Sequence, residues 1–324
     1  LPVFFIVMTV TLDAMGIGLI LPIMPDLIVE VQGGSLANAA LWGGVLATAF
    51  SVMQFAFSPF LGGLSDRFGR RPVLLISLFF MTLDYLVMAV AGSIWLLLAA
   101  RIVGGITAAT HGTAAAFMAD ISRREDKAAN FGLIGAGFGV GFVLGPVIGG
   151  LLGELGTRAP FYAAAALSAL NLLFGYFVLK ETVTDRNRRA FEWRRANPFG
   201  ALRTLSRLPG IRALVIVYFV YSVALYVYPA IWAYFSQVRF GWGTQMIGVS
   251  LAAYGTSSAL VQALLIRWML KHFGEYRTVL YGMVFEIAAL LCLAFVTNGI
   301  VAIVLTPIAA VGAVITPAIQ GIMS

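Results

Sequence analysis

Apolar stretches of 18 or more residues recur along this chain almost without interruption, and no other feature narrows the accessible folds so far. About 20 apolar residues cross a hydrocarbon core of about 30 Å as a helix, and in lipid every backbone N–H and C=O must be satisfied within the segment itself. The pattern predicts ten spans, at 3–25, 41–63, 73–91, 94–118, 131–153, 160–179, 211–235, 245–268, 278–297 and 299–322. Composition agrees: 60% of residues are hydrophobic and 11% charged, against about half and a quarter in soluble domains. The expected fold class is all-α integral membrane, with no soluble domain between the spans. The first span is too long, and carries Asp13 too centrally, for the short apolar region of a cleavable signal peptide.

A net charge of +7 raises the question of nucleic acid, and the placement of the basic residues answers it. Of 21 Lys and Arg, 18 fall in alternate connections: 64–72 with Arg67, Arg70 and Arg71; 119–130; 180–212; and 267–277. The opposite connections hold only Arg158 and Arg239, and Arg101 lies inside a span. Positive residues collect on the cytoplasmic side of membrane proteins. The expectation is a multi-pass plasma (inner) membrane protein with its N-terminus cytoplasmic, in contact with lipid and not with nucleic acid. The lone Cys292 lies in an apolar span, which excludes a disulfide framework.

Three units are predicted: a six-helix bundle over 1–180, a cytoplasmic linker over 181–210, and a second bundle over 211–324. The linker is polar and basic. It reads as a solvated connection that fixes topology, or as a polybasic stretch drawn to anionic lipid. Asp66-Arg67-Phe68-Gly69 before the third span and Lys271-His272-Phe273-Gly274 before the ninth suggest an internal repeat, of the kind from which transporters are built around a mid-membrane site. Six spans followed by four break that symmetry. With Leu1 in place of an initiator methionine, and Ser324 directly after an apolar span, the reading is a fragment lacking two C-terminal helices.

Four ionisable residues lie deep inside spans: Asp13, Asp84, Arg101 and Glu286. Charges at such depth are costly and by default mark ion or substrate pathways. Asp84 and Arg101 are equidistant from the turn at Gly92 and Ser93, which puts both at one depth, about 12 Å inside the boundary at 1.5 Å per residue, and predicts an ion pair that also serves the transport cycle. Asp13 and Glu286 have no partner readable from sequence. A carboxylate buried without a cation can take up and release a proton, so these two, with Asp84, are the proton-coupling candidates; the alternative is a structural hydrogen-bonding role. In the turn from Gly62 to Pro72 a single acid, Asp66, sits among Arg67, Arg70 and Arg71 next to Gly69. This is the chemistry of a latch that can be made and broken.

The fifth span repeats glycine through Gly141, Gly145-Pro146 and Gly149-Gly150, which permits close helix approach. His111 reads as a packed histidine in preference to a proton relay. Tyr221, Tyr228 and Trp232 share one helical face beside Pro229; with Gln54, Ser258 and Gln262 as polar companions they form either a substrate surface or ordinary packing.

Together these residues resemble the drug–proton antiporters of the major facilitator superfamily, and among them the tetracycline–proton antiporters, along the whole chain. Asp13-Ala-Met-Gly-Ile-Gly with Pro22 and Pro25 looks like the family's first helix, Gly62 to Arg71 its loop signature, Arg101 with Gly105 and Ala109 its fourth-helix motif, and Gly141 to Gly150 its antiporter signature. Leu83-Asp84-Tyr85, Arg239-Phe240-Gly241-Trp242 and Gln320 to Ser324 point to the tetracycline branch. The resemblance implies twelve helices in two pseudo-symmetric bundles, a monomer, and alternating access that exports a small amphipathic compound against protons. It implies no cofactor; a metal arrives only as part of a chelated substrate. Two departures stand out: Ser258 replaces the family's eighth-helix histidine, and Glu286 its ninth-helix aspartate. An uptake carrier on the same fold and an integral membrane enzyme are the other readings. The enzyme would need a nucleophile–base or metal cluster, and His111 and His272 stand far apart in sequence.

Overall fold

The computed structural model describes residues 2–123, 125–184, 188, 191–192, 197–198 and 211–323. Most of the expected linker at 181–210 lies outside the described residues, as do Arg124 and Ser324.

The first bundle comprises α1 (Pro2–Ile20), α2 (Met24–Gln32), α3 (Leu36–Phe68), α4 (Arg70–Val90), α5 (Ile94–Thr107), α6 (Thr110–Ile121), α7 (Lys127–Gly153) and α8 (Ala159–Val178). The second comprises α9 (Ile211–Phe240), α10 (Thr244–Leu260), a π turn over Val261–Leu265, α11 (Ile266–Phe295), α12 (Gly299–Ala309), a 3₁₀ turn over Ala310–Val314, and α13 (Ile315–Met323). Every described element is helical, as a chain in lipid requires.

Nine helical segments among the described residues are long and apolar enough to cross a membrane, one fewer than the ten spans read from the sequence. The eighth and ninth spans fall within one 52-residue helical segment from Thr244 to Phe295, in which two helices meet at Gly274. A straight helix of that length would measure about 78 Å at 1.5 Å per residue, but the chain turns at Gly274, where φ is 73° and ψ 174°. The turn is so tight that its polar residues lie on the ends of the two helices. Gly69 makes the corresponding turn between α3 and α4 with φ 118°. Both positions lie in the left-handed half of φ space that glycine alone enters without strain, so the weak sequence repeat coincides with a repeated backbone conformation.

Local breaks follow the sequence as well. Pro22 and Pro25 interrupt the first span, so α1 hands over to α2 through turn bonds from Leu21 to Gly18 and from Ile23 to Ile20. The fourth span breaks between α5 and α6, where Ala108 and Ala109 leave helical geometry.

Each bundle has its own core. In the first, Phe5, Ile6, Leu74, Leu78, Phe117 and Met118 pack near the basic end, and Leu19, Ile23, Leu27, Met88 and Phe161 near the other. In the second, Tyr221, Ile266 and Ile315 belong to one cluster, and Trp232, Ile247 and Leu293 to another.

Helix α7 lies between the bundles. A Cβ on Gly137, Gly141, Gly145 or Gly149 would meet α1 backbone or side chains: on Gly141 it would fall on the Thr11 carbonyl and 2.9 Å from the Ala14 methyl, and on Gly145 2.6 Å from the Met15 carbonyl. Four residues apart, these glycines form one face along which the α1 backbone runs. Its other face meets α10. A Cβ on Gly150 would stand 2.7 Å from the Thr244 carbonyl, one on Gly248 would fall on the Pro146 carbonyl, and Thr244 Oγ1 donates to the Gly150 carbonyl at 3.2 Å.

Candidate functional site

Asp84 and Arg101 meet. Successive helices α4 and α5 run antiparallel, and Arg101 Nη2 forms an ion pair with Asp84 Oδ2, both side chains nearly inaccessible. Gly104 makes room, since a Cβ there would stand 3.1 Å from the Asp84 carboxyl carbon. The guanidinium lies over the Phe50 ring at 5.1 Å, a favourable cation–π placement. The pair lines a cavity of about 280 Å³ to which α1, α3, α4, α5 and α9 contribute, with Ser51, Tyr85 and Tyr234 also on its wall. One carboxylate oxygen of Asp84 and Nε of Arg101 have no hydrogen-bond partner, so polar atoms remain free at this wall.

Asp13 sits on α1 close to this cavity. Its Oδ1 is buried without a hydrogen-bond partner, and Tyr85, whose hydroxyl packs 3.2 Å from the Cβ position of Gly16, lies within its electrostatic reach. Glu286 is the corresponding group of the second bundle. Its Oε2 is likewise buried and unbonded and presses against Gly312, where any side chain would collide with it. Tyr221, Tyr228 and Tyr254 all lie within electrostatic reach of Glu286. An otherwise apolar groove of about 380 Å³ between α9 and α11 opens onto Glu286 and Tyr221.

The aromatic face of α9 therefore divides. Tyr221 lines the groove with the acid, and Tyr228 lies within its electrostatic reach. Trp232 is 2% exposed and turns into the bundle core, its Nε1 donating to Ser250 Oγ at 2.8 Å and its ring stacked on Tyr228 at 4.8 Å. Ser258 stands beside Tyr254, a residue that sequence reasoning missed because its place on α10 shows no charge or periodic signal. Gln54 and Gln262 are exposed and line neither cavity; Gln262 lies in the π turn. His111 is exposed with its ring edge-on to Phe138 at 5.9 Å. Among the described residues no group of three or more His, Cys, Asp or Glu is placed to hold a metal ion.

At the basic end, Asp66 pairs with Arg70 one turn on, and Arg70 Nε also donates to Asp120 at 3.1 Å. Both partners belong to the first bundle. Sequence reasoning missed Asp120 and two more members. Glu181, just beyond α8, accepts from the backbone N–H of Arg70 at 2.9 Å and of Arg71 at 3.1 Å, capping α4 from a distance in sequence; a Cβ on Gly69 would fall on its carboxylate. Thr182 donates to Asp120 at 3.2 Å. Arg71 reaches the end of α8, donating to the Tyr176 carbonyl at 2.7 Å. Arg67 and Gly62 are exposed.

The comparisons with known proteins fit this architecture. The major facilitator superfamily profile matches residues 6–324. The chain is 44% identical over 317 residues to the class C tetracycline resistance protein of Escherichia coli, covering 98% of this chain and 79% of that protein, and 36% identical over 314 residues to the class B protein of Escherichia coli, covering 97% and 77%. Multidrug resistance protein 2 of Bacillus subtilis (strain 168) is more distant, at 28% over 270 residues, 82% of this chain and 66% of that protein. Among solved structures, the human organic anion transporter superposes with a TM-score of 0.75 at 24% identity, covering 99% of this chain and 84% of that one, which speaks to the fold alone. With the fold, the paired bundles and the family match in agreement, the chain belongs to the major facilitator superfamily and, within it, to the family of the tetracycline resistance proteins.

Proposed function

We infer that this protein exports a small amphipathic compound, a drug or tetracycline-like molecule, in exchange for protons by alternating access. The observation that carries the reading is a buried carboxylate without a hydrogen-bond partner on one oxygen in each bundle, Asp13 and Glu286, in a chain 44% identical to a tetracycline resistance protein. Exchange requires that substrate and proton bias the same equilibrium in opposite directions. A carboxylate that is neutral in one state and charged in the other supplies that coupling. The Asp84–Arg101 pair, on the wall of a cavity to which both bundles contribute, is the charged element closest to a substrate path. Tyr221, Tyr228, Ser258 and Glu286 form the facing polar surface of the second bundle, and the Asp66–Arg70 pair gates the basic end. The charge asymmetry of the connections puts that end, and the N-terminus, in the cytoplasm of a cell whose plasma (inner) membrane holds the protein.

The test is transport in proteoliposomes under an imposed pH gradient, with tetracyclines and cationic dyes as substrates, in wild type, Asp13→Asn, Glu286→Gln and the double variant. We expect wild type to accumulate substrate uphill against proton flow. Each amide variant should retain downhill movement and lose substrate-induced proton movement. Equal proton movement in all four proteins would make both acids structural, and accumulation with the opposite sign would make the carrier an importer.

A further inference from the structure

The bundles touch unequally at their two ends. Along α7 and α10 the contacts run from Gly153 against Thr244, through Gly150 and Pro146, to Val143, which would stand 2.9 Å from a Cβ on Gly255. Towards the basic end the next glycines of α7, at 139, 135 and 132, have nothing within 4 Å of a Cβ position. Two further bridges between the bundles lie at the same closed end. Tyr234 of α9 is 8% exposed and packs within the core cluster of the first bundle, its hydroxyl directed at Gly43 of α3 so closely that even a methyl group there would displace the ring. Nearly one turn further along α9, Gln237 Nε2 donates to Asp26 Oδ1 of α2 at 3.0 Å.

We propose that Tyr234 seated against Gly43, with the Gln237–Asp26 hydrogen bond beside it, is the outer gate of the carrier. The assignment rests on the transport reading above. Gly43 and Tyr234 line the same cavity as Asp84 and Arg101, so this contact closes that cavity at the end away from the basic loops. Both moving groups come from one helix, α9, and both seats from the first bundle. A rocking of the bundles that withdraws α9 from α2 and α3 breaks the Gln237–Asp26 hydrogen bond, lifts one aromatic side chain out of its seat, loosens the Thr244–Gly150 bond between α10 and α7, and needs no change inside either bundle. The bond to the Asp26 carboxylate is charge-assisted and stronger than a neutral one, and Gly43 supplies the close backbone approach that any larger residue would deny. The gate therefore favours the outward-closed state while leaving the basic end free.

The experiment uses right-side-out membrane vesicles with Cys292→Ser as background and the pair Asp26→Cys and Gln237→Cys, joined by a short bifunctional thiosulfonate that a reductant cleaves. Cross-linking is expected to abolish transport and reduction to restore it. Undiminished transport by the cross-linked protein, or two thiols that each react but never join, would overturn the gate. Before cross-linking, transport by the same vesicles separates the two ideas, since its absence in the parent protein would count against the carrier itself. In a second arm, Ser51→Cys on the cavity wall is labelled from outside with an impermeant maleimide. Adding Gly43→Val, which unseats Tyr234, is expected to raise the labelling rate several-fold, and an unchanged rate would also overturn the proposal.

Discussion

Arg101 is held from two sides, by the Asp84 carboxylate and by the Phe50 ring, with both side chains nearly inaccessible. Removing one partner of a buried pair leaves the other uncompensated and costs about 3–5 kcal/mol. Asp84→Asn and Arg101→Gln should each lower the unfolding temperature in detergent, and the double variant should lose less than the two combined. Strictly additive losses in that cycle would show that the pair contributes no coupling. The pair was legible from the sequence because a short turn between adjacent spans sets two residues at one depth. Asp13 and Glu286 were legible too, as charges in apolar runs. Their surroundings were not: the three tyrosines near Glu286 come from α9 and α10, and no spacing within one helix records a neighbour on another.

Helix α4 shows how charges outside the spans stabilise an element. Its first two N–H groups are taken by Glu181, and at its far end Arg158 Nη1 donates to the carbonyls of Ala89 at 3.0 Å and Ala91 at 2.7 Å while Nε holds Glu30. An anion at the N-terminus and a cation at the C-terminus both complement the helix dipole. Arg239 does the same after α11, donating to the Val296 carbonyl at 3.1 Å. The two arginines that depart from the basic-end rule are thus helix caps. Arg158→Ala and Glu181→Ala are each expected to destabilise by about 1–2 kcal/mol, read as a lowered melting temperature in detergent, while Lys180→Ala, beside Glu181 but without a side-chain hydrogen bond among the described residues, should not. For α7, Gly141→Leu drives a side chain into the α1 backbone and should prevent recovery of monodisperse protein on size exclusion. Gly139→Leu, facing open space, should leave recovery intact; equal behaviour of the two would refute the packing role of the glycine face.

At the scale of the whole molecule, the latch read from the turn at Asp66 takes a definite form. Arg70 is shared between Asp66 and Asp120, with Glu181 and Thr182 tied into the same cluster, so the loop is locked to its own bundle at the point where the chain leaves α8. Asp66→Asn removes one of the two carboxylates on Arg70, and we expect slower transport at near-normal expression; full rates would dismiss the latch. The sequence by itself determined the membrane-spanning helical class, the sidedness of its charges, the glycine-lined close approach, and which buried residues carry charge. These are properties of single segments, set by hydropathy, depth and helical period. Only the tertiary structure decided that the eighth and ninth spans meet in a tight turn at Gly274, that Trp232 belongs to the core while Tyr254 lies near Glu286, that Glu181 caps α4, and that the bundles meet at one end and part at the other. Each of those depends on contacts between residues far apart in sequence, and lipid-exposed and bundle-facing surfaces are equally apolar. Hydrophobicity alone therefore cannot say which face of a helix meets which partner.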